Sequence, residues 1–106
     1  MTTFDKREEG FEKKFALDEE QKFKAEARRN KLLGLWAAAK LGLSGDAAAT
    51  YASDVVAADF EDAGDGVFRK VAGDFGAKGI TVPEDELRAR MDELMVQAIG
   101  QVKAGK

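Results

Sequence analysis

A single proline in 106 residues, Pro83, leaves this chain almost nothing that would break a helix. It is rich in Ala, Leu, Glu and Lys and has few β-branched runs, so the local preference is helical and an all-α fold is expected. The length suits one small domain, able to bury roughly two thirds of its unfolded surface. Four helices can be placed from their start and stop signals. The first opens at Asp18, with Gln21 three residues on to complete a capping box, and runs through Leu32, Leu33, Leu35 and Trp36 to a stop at Gly42. The second opens at Ser44, turns Tyr51, Val55 and Ala58 inward, and ends before the turn Asp62-Ala63-Gly64-Asp65-Gly66.

Asp65 is the expected cap of the third helix, whose inward residues are Val67 or Phe68, Val71 and Phe75 and whose stops are Gly76 and Gly79. Gly73 is a weak point inside it. The last helix is expected to start with a capping box at Thr81-Val82-Pro83-Glu84 and to bury Leu87, Met91, Leu94, Met95, Ala98 and Val102, with Lys103 and Lys106 suiting its C-terminal dipole. These helices, joined by short loops, make residues 18–106 a small four-helix bundle. Residues 1–17 are expected to be a flexible N-terminal arm, disordered when free, because Gly10 interrupts a helix that would be marginal at this length.

The chain contains neither Cys nor His. Disulfides, thiolate chemistry, the usual zinc sites and Ser-His or Cys-His nucleophile pairs are therefore excluded, and no convergent carboxylate pair replaces them. We expect no enzyme and no cofactor. The overall charge of -3 splits into about +1 on residues 1–31 and -4 beyond, with Lys and Arg interleaved among carboxylates. Such a surface does not track a phosphate backbone, so nucleic acid is not an expected partner. No apolar run is long enough to cross a bilayer and the first residues do not read as a signal peptide, which suits a cytoplasmic protein.

Several glycine and acid clusters have simpler readings. Gly64-Asp65-Gly66 lacks the third glycine and preceding strand of a dinucleotide loop, and reads as a turn. A calcium loop from Asp59 fails because its twelfth position is Lys70. Asp59, Glu61, Asp62 and Asp65 read as a solvated interhelical loop, not a Mg²⁺ site. Leu32, Leu33, Leu35 and Trp36 span more than one helical face, so Trp36 is a candidate for the core and for an interface.

The densely charged first third also carries Phe4, Phe11, Phe15 and Phe23. The first three are spaced by seven and four and would line one stripe of a helix. A lone helix buries nothing, so the stripe needs a partner, either another protein or the bundle itself.

Three stretches together resemble one family: Phe4-Asp5-Lys6-Arg7-Glu8-Glu9-Gly10-Phe11-Glu12 with Lys13-Lys14-Phe15, then Ala27-Arg28-Arg29-Asn30-Lys31-Leu32-Leu33-Gly34-Leu35-Trp36-Ala37-Ala38, then Val67-Phe68-Arg69-Lys70-Val71 with Met91-Asp92-Glu93-Leu94 later. The resemblance is to the zeta subunits, alphaproteobacterial inhibitors of the rotary ATP synthase. It implies a four-helix fold whose arm enters a catalytic interface of the synthase head, formed by alpha, beta and gamma subunits, and blocks rotation in the hydrolytic direction. The residues carried over are Phe4, Asp5, Lys6, Arg7, Glu8, Glu9, Gly10, Phe11, Glu12 and Phe15. It also implies a location at the inner face of the plasma membrane, reached only through the synthase. The alternative is a nucleotide-responsive helical binding domain, with weak adenine-nucleotide binding at Arg28, Arg29, Lys31 and Trp36.

Overall fold

A computed structural model describes residues 17–62 and 65–105. The expectations for residues 1–16, for Ala63 and Gly64 in the turn, and for Lys106 lie outside the described residues. Those described form four helices and no strand: α1 Glu19–Lys40, α2 Gly45–Glu61, α3 Gly66–Ala77 and α4 Glu84–Lys103. The all-α four-helix reading holds, and none of the helices is long and apolar enough to cross a membrane.

The α1 start is the one the sequence predicts. Asp18 Oδ1 accepts from the Gln21 amide at 2.7 Å, and Gln21 Oε1 accepts from the Asp18 amide at 3.4 Å, closing a capping box. Its end, and that of α3, use the same device: Gly42 and Gly79 take the left-handed conformation, at φ 80° and 70°. The following amides turn back, Leu43 to the Ala38 carbonyl and Ile80 to the Phe75 carbonyl, each at 2.8 Å. Gly76, expected as a stop, instead lies inside α3.

Two predicted caps are not formed. Asp65 does precede α3, but its backbone is already helical and its side chain makes no cap bond. Its carboxylate reaches Arg88 at 3.6 Å and Arg69 at 3.8 Å. At α4 the capping position falls on Pro83, which has no side-chain acceptor, so Thr81 is too far out to close a box. Glu84, Asp85 and Glu86 complement the dipole there instead. Ser44 stands at the start of α2, also without a side-chain cap bond.

The main core gathers Leu33 and Ala37 of α1, Tyr51 and Val55 of α2, Val67, Val71 and Phe75 of α3, and Leu87 and Met91 of α4. Burying each larger side chain contributes about 1.5–3 kcal/mol. A smaller cluster joins Ala25 of α1 to Met95 and Ile99 of α4, with Leu17 against it. Ile99 is fully buried there, whereas Val102, assigned to the core from its spacing, is only half-buried. Ile99 completes the row Leu87, Met91, Leu94, Met95 and Ala98, and Val102 lies one turn closer to the C-terminal end of the helix.

The α1 helix is the spine, making its two largest interfaces with α2 and α4. Besides Leu33, Arg29 and Asn30, its buried residues are small (Ala25, Gly34, Ala37 and Ala38), and Gly34 lets α2 come close. At Gly34 a Cβ would stand 2.5 Å from the Ala52 Cα and 3.1 Å from its Cβ. Across α2 and α3, the Tyr51 hydroxyl donates to Asp74 Oδ2 at 2.7 Å, and Lys70 Nζ donates to the same oxygen at 3.2 Å.

Gly34→Ala and Gly73→Ala should therefore act in opposite directions. The first presses backbone against backbone, with an expected loss of about 1–3 kcal/mol. The second adds a methyl group to an exposed helical position with nothing within 4 Å, for an expected gain of up to about 1 kcal/mol. Urea denaturation of both variants checks this, and a stabilised Gly34→Ala would refute the close crossing.

Tyr51, the only tyrosine, titrates above its ordinary value of 10.0 because it is buried, because Asp74 accepts its proton in a hydrogen bond, and because the Asp74 and Asp54 charges oppose ionisation. With the folded value raised, the stability it contributes is complete below pH 10 and is lost as pH rises further. Tyrosinate absorbance should thus stay silent through pH 10 and appear together with loss of helical circular dichroism. Ionisation at the ordinary value with the helices intact would contradict the Tyr51–Asp74 bond.

Candidate functional site

Because α2 and α4 flank α1, part of its surface is not covered by the other described helices. An open groove runs along it from Asp18 to Leu35, floored by Phe23, Lys24, Arg28 and Lys31 and banked by Val56 of α2 and Gln101 of α4. Phe23 is 61% exposed and Leu35 40%. Phe60 of α2, 74% exposed, stands with Phe23 and Asp59 at an adjoining narrow cleft, so aromatic rings from two helices share one surface.

The charge on this surface is divided. Lys24, Arg28 and Lys31 succeed one another along α1, with Lys24 paired to Glu20 at 3.0 Å and Arg28 Nη1 donating to Gln101 Oε1 at 3.4 Å. No Lys or Arg occurs in α2, which carries Asp46, Asp54, Asp59 and Glu61. Of these, only Asp59 stands at the adjoining cleft, while the groove itself carries Lys24, Arg28 and Lys31 together with Asp18 and Glu20.

All ten arm residues, Phe4 to Glu12 with Phe15, lie outside the described residues. Of the four nucleotide-site candidates, Arg28 and Lys31 share the groove. Arg29 is turned inward, only 7% exposed, and donates through Nε to Asn30 Oδ1 at 2.7 Å. Trp36 lies elsewhere, half-buried on the main core, edge-on to Phe75 at 5.8 Å with Lys40 and Arg90 over its ring at 5.3 and 5.4 Å. The fold thus joins two of the four and separates the other two.

Sequence reasoning missed Phe60, Lys24 and Val56 as parts of one surface. The spread of Leu32, Leu33, Leu35 and Trp36 over several faces was the available signal: Leu33 fills the core, Trp36 caps it and Leu35 faces the groove. In the acidic loop, Asp62 accepts from Arg69 at 2.7 Å, and among the described residues no three carboxylates converge as a metal set.

Comparison with solved structures finds a solution NMR structure, 54% identical in sequence, covering 79% of this chain and 96% of that one with a TM-score of 0.68. No curated protein matches. A family model described as ATPase inhibitor subunit zeta matches residues 1–101, which takes in all three stretches of the sequence resemblance. On that match, over nearly the whole length, the chain belongs to the ATPase inhibitor subunit zeta family.

Proposed function

We propose that this chain restrains ATP hydrolysis by the ATP synthase by lodging its N-terminal arm, residues 1–17, in a catalytic interface of the head. The observation that carries this reading is the family match, which begins at residue 1 and so includes the arm as well as the bundle. Phe4, Phe11 and Phe15 act as the anchoring rings, since buried aromatic side chains dominate interface energetics. Asp5, Lys6, Arg7, Glu8, Glu9 and Glu12 set register at the rim, and Gly10 lets the arm bend. The 18–106 domain holds the arm at the mouth of the interface formed by the alpha, beta and gamma subunits. The protein then sits at the inner face of the plasma membrane only while bound to the synthase.

Ordering the arm on docking costs a few kcal/mol, which keeps the complex reversible. An inhibitor of hydrolysis must leave when synthesis resumes. A second reading, weak binding of an adenine nucleotide, draws on Arg28 and Lys31 lining one groove beside the exposed ring of Phe23.

Hydrolysis by the matching synthase head, titrated with the full chain and with a chain beginning at Leu17, separates the two readings. The full chain should inhibit and the shortened one should not; equal inhibition would move the site to the bundle. Among point variants, Phe4→Ala and Phe11→Ala should each raise the inhibitory concentration roughly tenfold or more, as loss of an interface anchor does. Lys13→Ala, with a rim charge removed, should change it far less. Equal losses in all three would show that charge, not ring burial, holds the complex.

A further inference from the structure

Phe23 of α1 and Phe60 of α2 are exposed together at one end of the α1/α2 seam, and Leu35 is exposed at the other. We infer that this face associates with the same face of a second copy. The product is a weak dimer whose two-fold axis runs parallel to the seam, so that α1 of each copy lies on α2 of the other. It requires neither the synthase nor the N-terminal arm.

The two helices border the seam over matching lengths. Phe23 and Phe60 share the narrow cleft, while Lys31 and Leu35 share a second hollow with Ala49 and Ser53. From Phe23 to Leu35 is about 18 Å of helix, and from Phe60 back to Ala49 is about 16 Å. A rotation about an axis along the seam exchanges the places of α1 and α2 and keeps every residue at its level. Phe23 therefore meets the partner's Phe60, and Leu35 meets the partner's Ala49, each contact occurring twice. Four rings then gather at one end of the interface, where contacts between aromatic edges and faces are favourable.

Charge selects this axis over the alternative. The α1 helix carries six basic residues and three acidic ones, whereas α2 carries four acidic residues and no basic one. An axis across the seam would lay α1 on α1 and α2 on α2, opposing like charges. An axis along it opposes unlike ones. Lys24 and Lys31 are seven residues apart on α1, Asp54 and Glu61 are seven apart on α2, and all four are exposed. Because α1 runs antiparallel to the partner's α2, Lys24 comes level with the partner's Glu61 and Lys31 with the partner's Asp54. That register is within about two residues of the one that sets Phe23 against Phe60.

Size keeps the association weak. Phe23 and Phe60 expose roughly 200–340 Å² of side-chain surface per copy, where a standard interface buries about 800 Å² on each partner. Exposed ion pairs add little, and Lys24 gives up Glu20, 3.0 Å away, to reach its new partner. The dimer should therefore form only at high concentration and weaken as salt rises.

Sedimentation equilibrium of the full chain, from micromolar to millimolar, should show the weight-average mass climbing from 11.5 kDa toward twice that value, and climbing less in high salt. Phe60→Ser changes an exposed side chain, so helical circular dichroism should stay the same while the dimer dissociation constant rises roughly tenfold or more. Lys24→Glu should raise it about fivefold, and adding Glu61→Lys should reverse that rise. Since the chain has no cysteine, Leu35→Cys and Ala49→Cys each give one attachment point. A short bismaleimide should link chains in a mixture of these two variants and link neither variant alone. A chain that stays monomeric throughout would overturn the inference. Association unchanged by Phe60→Ser would also overturn it, by placing the contact on another surface, and a mixture that does not cross-link would rule out the axis.

Discussion

The approach of α1 to α2 at Gly34 and Ala52 sets the dimensions of the rest of the molecule. Two backbones that come this close leave no space for a side chain at the crossing, so the packing around it is completed by alanines and by residues stacked above and below. Leu33 and Val55 fill one side, and α3 then lays Val67, Val71 and Phe75 over them. Since α4 takes another side of α1, the spine is enclosed by packing on its inner faces, and its outer one is left uncovered by the other described helices. The groove and the exposed rings of Phe23 and Phe60 follow from that arrangement.

Polar groups are used differently inside and at the ends. Tyr51 and Asp74 join α2 to α3 through a hydrogen bond that also involves Lys70, and Lys70 Nζ lies 5.0 Å from the Tyr51 ring centroid. Arg88 sits over Phe68 at 4.1 Å while reaching Asp65, tying α4 to the start of α3. Exposed ion pairs of this kind contribute little stability one by one. Their effect is orientation, since each fixes the angle at which a short helix meets its neighbour.

Much of the fold was legible because its signals are local. A capping box needs residues three apart, and Asp18 with Gln21 satisfies it within one turn. Glycine stops are equally local, and Gly42 and Gly79 mark helix ends because their positive φ is strained for other residues. Tyr51, Val55 and Ala58 repeat at helical spacing and are buried together. The misses have two causes: Pro83 displaced its cap by two residues within the same short segment, whereas Asp65 met Arg88 of α4 as well as Arg69 one turn on, and Ile99 took the core position given to Val102 once α1 brought Ala25 to α4. For Asp65 and Ile99 a neighbour distant in sequence outweighed the local signal.

The functional side divides in the same way. From sequence alone came the all-helical class, the family resemblance carried by three stretches, the absence of Cys and His, and the three-ring stripe. All of these are properties of residue identity and spacing, which one dimension records. Only the tertiary structure decided that Arg29 turns inward, that Trp36 seals the core away from Arg28 and Lys31, and that Phe23, Lys31, Leu35 and Val56 share one groove. Which face of α1 the other described helices leave uncovered depends on where α2 and α4 pack, and the close approach of α2 depends on the small residues that let the backbones meet.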